Sequence, residues 1–334
     1  MKVFITGGTG FLGKKLVLEL AKESEKIYIL TRKGRIPEFE NLSNVILIKG
    51  DITSPEVVLN AADRKIIRDE VTHVIHAAAF YDLQASHNEC YLQNVVGTQN
   101  VLHFLKSIDH LKSFFYVSTI AVGDDQNDFL EENSLPVRHK FSDHYSKTKY
   151  LAESLVRDFS SQLNCKMIIM RPGIIVGDSQ HGVIEKIDGP YYFINAFKKY
   201  HKLLQNLKIA PLGFNPHSKI PIIPVDHCAF FILLIIKREN QCQNLDTFHL
   251  ISDEIPSVQE FLDDLKQIFN LKTRFIPIPK NVISDSLLKM FGIPKEVIPF
   301  MFSKLSYDKT VVNRVIPEIS TSKYLLYKDA LLKK

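Results

Sequence analysis

Twelve residues near the start constrain this chain more than any others. Lys2 to Thr6 form a short apolar β run, and Gly7-Gly8-Thr9-Gly10-Phe11-Leu12-Gly13 follows at once. Leu12, Leu16, Val17 and Leu20 then recur at helical spacing. Gly8, Gly10 and Gly13 satisfy G-x-G-x-x-G, while Gly7, Gly10 and Gly13 satisfy G-x-x-G-x-x-G. Strand, glycine loop and helix in this order form the context of a dinucleotide-binding fingerprint. A side chain at Gly7 or Gly10 would hold a pyrophosphate away from the backbone N–H groups, and one at Gly13 would push the helix off the strand. The helix N-terminus offers unpaired N–H donors and partial positive charge to the phosphates. Thr6, Gly7, Gly10, Phe11, Leu12 and Gly13 are therefore candidate cofactor contacts.

The next strand, Ile27 to Thr31, ends in Thr31-Arg32-Lys33 with Arg35 beyond. An acidic residue there would bind the ribose 2′-OH of NAD. None is present, and Arg32 can fork onto a 2′-phosphate, so NADP(H) is favoured over NAD(H). A third strand, Val45 to Ile48, leads to Asp51 and Ile52. Asp51 can accept from the adenine amino group, with Ile52 against the ring, or it can cap the following turn. His73 to His76 forms a fourth strand, ending in Ala77-Ala78-Ala79, small enough to let a cofactor cross the sheet edge. A helical segment over 83–106 carries Asn94, which either orients a lysine further on, Lys149, through water or is a satisfied polar residue.

Ser113 to Thr119 is the fifth strand, and Ser118 and Thr119 sit at its carboxyl end, where ligands bind in open α/β sheets. Asp124, Asp125, Asp128, Glu131 and Glu132 follow without metal-ligand spacing and read as solvated acids; no metal site is expected. Tyr145 and Lys149 are four apart, on one face of the helix that runs on through 150–163. A Lys149 ammonium would favour the Tyr145 phenolate and lower its pKa. Tyr145 could then exchange a proton with a carbonyl or carbinol oxygen that Thr119, with Ser118 as the fallback, also holds. Tyr324 and Lys328 repeat the spacing and read as an exposed helix pair.

The formal charge is +5 over 334 residues, with Lys and Arg scattered, which gives no footprint for nucleic acid. Cys90, Cys165, Cys228 and Cys242 show no C-x-x-C spacing and read as free thiols of a reducing compartment. The longest apolar run, Ala229 to Ile236, is too short to span a bilayer and reads as a buried helix. With the first strand beginning at residue 2, no secretory leader is expected, and the expected location is the cytoplasm. Loose attachment to a membrane surface stays open.

With the glycine loop, Asp51, Asn94, Ser118-Thr119 and Tyr145/Lys149 in order, residues 1 to 250 resemble the extended short-chain dehydrogenase/reductases. The resemblance implies an α/β fold, a doubly wound parallel Rossmann sheet with a smaller, mostly helical C-terminal substrate region. It also implies a Thr–Tyr–Lys site with Lys149 on the nicotinamide ribose. Lys166 to Arg171, continuing as Pro172-Gly173-Ile174-Ile175-Val176-Gly177-Asp178, narrows the resemblance to the thioester reductase and fatty acyl-CoA reductase branch. That branch reduces acyl thioesters with NADPH to aldehydes, sometimes onward to alcohols, and Pro172, Gly173 and Ile174 would lie beside the nicotinamide. No adenylation or carrier domain is expected ahead of this segment, and the acyl group is expected on CoA or a separate carrier protein. Other readings within the fold are a dehydrogenase or epimerase of a sterol-like or sugar-nucleotide hydroxyl, and a non-catalytic NADP-binding scaffold.

The expected division is 1–178 for the cofactor domain, with elements returning from about 209–251, and 179–334 for the substrate region. Within the latter, Ser257 and Glu260 form a capping box. Ile283, Leu287, Leu288, Met290, Phe291, Val297, Ile298, Phe300, Met301 and Phe302 form an apolar set. It could line an acyl channel, close a second core, or touch lipid.

Overall fold

The computed structural model describes residues 1–81, 85–123, 129–137, 140–141, 143–185, 187–283, 288 and 291–333. Runs of apolar residues become strands buried on both faces, as a parallel sheet requires. The strands are β1 (Lys2–Thr6), β2 (Lys26–Thr31), β3 (Val45–Lys49), β4 (His73–His76), β5 (Ser113–Val117), β6 (Phe129–Leu130), β7 (Lys166–Pro172), β8 (Ile174–Val176), β9 (Ile209–Gly213), β10 (Ile222–Pro224), β11 (Thr247–Leu250), β12 (Arg274–Ile278) and β13 (Ser306–Tyr307). Seven of them form one parallel sheet in the order β11-β7-β5-β4-β1-β2-β3. The order reverses direction between β1 and β4, and that crevice is where such sheets bind ligands.

The helices are α1 (Phe11–Ala21), α2 (Ala61–Glu70), α3 (His87–Cys90), α4 (Gly97–Leu105), α5 (His144–Phe159), α6 (Tyr191–Gln205), α7 (Val225–Lys237), α8 (Val258–Ile268), α9 (Thr310–Val315) and α10 (Tyr324–Leu332). Side chains alternate across the sheet. Ile5, Ile29, Ile75, Phe115 and Phe248 meet α1, α7 and α9 on one face. Phe4, Tyr28, Val74, Phe114 and Ile169 meet α4 and α5 on the other. A second core joins α6, α8, α10 and residues 288–301.

Several boundaries differ from the sequence reading. The helix holding Tyr145 and Lys149 begins at His144, where the Asp143 carboxylate accepts from Ser146 N at 2.7 Å and caps it, and it ends at Phe159 rather than at 163. The segment expected over 83–106 is described from Ser86; Leu83 lies outside the described residues. It is helical from His87 to Leu105 with one wider π turn, Tyr91–Val96, between α3 and α4. The strand at 209–213 pairs with β12 in a separate two-stranded sheet. The elements that return to the main sheet are α7, β11 and, from much later, α9. The Ser257–Glu260 capping box at α8 is present in both directions.

Two polar groups read as exposed are buried. Glu132 is fully buried and accepts from the N–H groups of His249, Val311 and Val312. Tyr324 is buried too, and it and Lys328 both hydrogen-bond Asp264, at 2.9 and 2.7 Å. Asp124, Asp125, Asp128, Leu287 and Met290 lie outside the described residues.

Candidate active site

The glycine loop leaves β1 with Gly7 at φ +76°, a left-handed conformation that favours glycine. A Cβ at Gly7 would stand 2.4 Å from Ala78 N, and one at Gly13 would stand 2.0 Å from the Gly7 carbonyl. Gly7 is therefore required by the neighbouring strand end as well as by any phosphate. Gly10 differs, since a Cβ there would face open groove with only the Gly7 carbonyl at 3.5 Å. Gly10 is also the N-cap of α1, with no side-chain cap and no acidic residue in the first turn. Those N–H donors are thus left for an anion.

A groove runs in two parts across the crevice. One cavity of 300 Å³ is lined by Thr6, Gly7, Arg32, Asp51, Ile52 and Ala77–Ala79, among others. The other, of 490 Å³, is lined by Phe11, Leu12, Ser118, Thr119, Tyr145, and Pro172, Gly173 and Ile174, among others. Gly7, Gly10, Ala77, Ala79 and Phe80 border both, so the two are continuous. At the far end Arg32 lies mostly exposed, with Nη1 4.0 Å from Asp51 Oδ2. The other Asp51 oxygen accepts from the Thr53 N–H and hydroxyl, both at 2.9 Å. Asp51 therefore caps its turn with one oxygen and faces the groove side with the other.

Thr119 caps a short turn, accepting from Ala121 N at 3.2 Å, and its hydroxyl lies beside the Tyr145 phenol. Burial raises the phenol above its usual range and Thr119 partly offsets this, so Tyr145 is protonated at neutral pH. The Tyr81 ring meets Tyr145 edge-on at 4.6 Å, and the Tyr81 hydroxyl donates to Asp188 at 2.7 Å. Both Tyr81 and Asp188 line the larger cavity. They did not emerge from the sequence because no motif marks them.

Lys149 behaves differently from the expectation. Its Nζ donates to Tyr116 Oη and to the Val117 carbonyl, each at 2.8 Å, on β5 rather than along its own helix. Burial pushes its ammonium down to about 7. Tyr145 is not shifted toward phenolate. Four-residue spacing aligns the Cβ atoms, but a four-carbon side chain reaches to whichever acceptors are buried nearby.

Asn94 follows the second of its two readings, a satisfied polar residue. Its amide accepts from Phe80 N at 2.7 Å and donates to the Phe80 carbonyl and Thr148 Oγ1, each at 3.0 Å. It fixes the Phe80 backbone at the groove wall instead of reaching Lys149. Ser118 donates to Glu153 at 2.6 Å, and Glu153 pairs with the fully buried Arg171. Its hydroxyl is committed to that ion pair, leaving Thr119 as the hydroxyl beside Tyr145.

Behind Lys149 a buried polar chain leads back to the glycine loop. Tyr116 hydrogen-bonds Thr98, and Thr98 donates its one hydrogen to the Asn94 carbonyl at 2.6 Å. His76 Nε2 must then be the donor to Thr98 Oγ1 at 3.0 Å, which leaves Nδ1 to accept from Thr6 at 2.6 Å. Burial holds this imidazole neutral, its pKa pushed down to about 3. The sequence placed Thr6 at the groove but gave no sign of His76 or Thr98 beneath it.

A model of the male sterility protein family matches residues 5–232. The chain belongs to that family. It is thereby one of the extended short-chain dehydrogenase/reductases, in the branch of the fatty acyl-CoA and thioester reductases. It is 28% identical over 237 residues to the fatty acyl-CoA reductase wat of Drosophila melanogaster, an alignment covering 57% of this chain and 46% of that protein. The chain therefore spans less than half of that relative. Its fold matches the terminal R domain from the myxalamid PKS-NRPS biosynthetic pathway, with a TM-score of 0.77 at 22% identity, covering 99% and 89% of the two chains. It also matches a thiolation-reductase di-domain from an archaeal non-ribosomal peptide synthetase, with a TM-score of 0.65 at 21% identity, covering 90% and 87%. The groove takes a nicotinamide dinucleotide: the open α1 N-terminus, the small residues at the sheet edge and the length of the continuous cavity fit its phosphates and rings.

Proposed function

We propose that this protein reduces an acyl thioester, carried by CoA or a carrier protein, to an aldehyde with NADPH. The observation that carries the reading is the placement of Thr119 and Tyr145 side by side on a largely apolar cavity continuous with the dinucleotide groove. The relationship to a fatty acyl-CoA reductase supports the substrate class. Arg32, with no carboxylate at the end of β2, supports the phosphorylated dinucleotide.

Bound in the groove, the reduced dinucleotide supplies hydride to the thioester carbonyl carbon. Thr119 and Tyr145 hold the carbonyl oxygen as it gains negative charge. Tyr145, protonated at rest, gives that oxygen its proton. The resulting hemithioacetal loses thiol as its C–S bond breaks, and aldehyde remains. Lys149 would hold the cofactor ribose only by giving up its bonds to Tyr116 and the Val117 carbonyl. Pro172, Gly173 and Ile174 wall the nicotinamide end.

The test follows NADPH oxidation with acyl-CoAs of graded length and an aldehyde trap, with Tyr145→Phe as control. Trapped aldehyde that falls by a factor of about 10² or more in the variant supports the reading. Intact NADPH binding with no turnover on any thioester overturns it.

A further inference from the structure

The chain's positive charge is not scattered once it is folded. Residues 189–225 hold five lysines and no carboxylate, and residues 265–284 hold three lysines, one arginine and no carboxylate. These nine charges exceed the chain's net +5, so the remainder is net negative. The fold brings the two segments together. β9 and β12 pair in register, with Arg274 beside Ile209 and Ile276 beside Pro211. Arg274 N also donates to the Lys208 carbonyl, and the Thr273 hydroxyl donates to the Leu204 carbonyl at the end of α6.

The outer face so formed mixes aliphatic and basic side chains. Leu203 is 54% exposed, Ile209 56% and Val282 62%, and Ile276 lies beside them, also exposed. Lys202, Lys208, Lys272, Arg274 and Lys280 are all exposed. None of these five forms an ion pair with a carboxylate among the described residues, although ion pairs cover much of the surface elsewhere. An outward-facing set of aliphatics is costly in water unless something covers it. Protein interfaces favour aromatics, Met and Arg and are depleted in Lys, the reverse of this face. Long lysines around aliphatic side chains suit a surface of anionic headgroups over hydrocarbon.

We propose that the β9–β12 face, with the end of α6, docks on an anionic lipid surface. The aliphatic side chains enter the headgroup boundary while the lysines and Arg274 meet phosphate and carboxylate groups. This proposal does not depend on the thioester chemistry proposed above. The larger cavity is lined by Tyr191 at the start of α6, whose fifteen residues span about 22 Å to the end that joins this face.

The test is co-sedimentation of the full chain with two kinds of vesicle, phosphatidylcholine alone and equal parts phosphatidylcholine and phosphatidylserine, at low and high salt. Binding to the anionic vesicles about tenfold or more tighter than to the neutral ones, weakened by salt, is expected. Lys202→Gln/Lys208→Gln/Arg274→Gln should abolish that preference. Leu203→Gln/Ile209→Thr/Ile276→Thr, chosen to keep helix and strand propensity, should weaken binding at unchanged charge. Lys65→Gln/Lys112→Gln, elsewhere on the surface, should bind like the parent, and retained NADPH binding reports folding for every variant. Equal or absent binding to both vesicles overturns the proposal, as does anionic binding that neither triple variant changes. Capture of an acidic carrier protein by the same face, with no vesicle binding, also overturns it.

Discussion

At the scale of single residues, the two hydroxyls at the end of β5 have separable tasks. Thr119 touches Tyr145, so Thr119→Val should lower turnover by about 10²-fold while leaving the fold intact. Ser118 hydrogen-bonds a buried carboxylate, so Ser118→Ala should cost about 1–3 kcal/mol of stability and change turnover far less. Steady-state rates set beside thermal melts would separate the two, and equal losses of rate would refute the division. Lys149 gives a pH signature. Its folded pKa of about 7 lies below the ordinary 10.5, so the unfolded chain binds more protons between those values. The penalty for burying the ammonium is full below pH 7 and is relieved as pH rises toward 10.5. Stability of the parent should therefore climb through that window relative to Lys149→Met, by up to about 1.4 kcal/mol per pH unit. Denaturant melts of both proteins at several pH values would show it, and parallel curves would contradict it. Thr119 and Tyr145 were legible because strand ends and helical spacing place them. The partners of Lys149, Asn94 and Ser118 were not, because a buried polar side chain answers to neighbours distant in sequence. Tyr116 lies 33 residues from Lys149, and Glu153 lies 35 from Ser118.

Among the elements, those held by local chemistry were readable and those held by a distant partner were not. The strands of the main sheet were located to within two residues, because each is a short apolar run buried on both faces. The start of α5 was readable from the Tyr145/Lys149 spacing, although its cap residue, Asp143, precedes a polar first turn that shows no apolar period. The π turn at Tyr91–Val96 leaves no mark in the residue pattern, yet it lies where Asn94 braces Phe80. The buried Glu132 was taken for a solvated acid because its three N–H donors come from β11 and α9, more than a hundred residues later. This carboxylate caps α9 and ties it to the edge strand. Glu132→Ala strands those donors in the interior and should cost about 3 kcal/mol, read as a clear fall in melting temperature. Asp308→Ala, by contrast, removes mostly local turn bonds to Thr310 and should cost less. An unchanged melt for Glu132→Ala would mean that α9 is not held through this group.

For the whole molecule, the question is whether the cofactor-binding half stands alone. The sequence suggested a boundary near residue 178, since the glycine loop, the strand ends and the Tyr–Lys helix all precede it. Elements from about 209–251 were expected to return across that boundary, and the packing adds α9 from further on. One face of the sheet is covered by α1 together with α7 and α9, which contribute Cys228, Phe231, Ile232, Ile235, Val312 and Val315 to the same core. The seventh strand, β11, comes from the second half and pairs with β7 through four residues. A fragment of residues 1–178 would keep every candidate catalytic residue yet expose Ile5, Ile29, Phe115 and Ile168 to water. It would also leave the β7 edge unpaired, an invitation to aggregation. At about 1.5–3 kcal/mol for each large side chain returned to water, the loss is comparable to the whole stability of an ordinary domain. The fragment should therefore be insoluble, or compact with dye-accessible apolar surface and no cooperative melt. The full chain should melt cooperatively and bind NADPH. A soluble 1–178 fragment with a sharp melt and dinucleotide binding would show instead that the late helices only decorate a self-sufficient sheet.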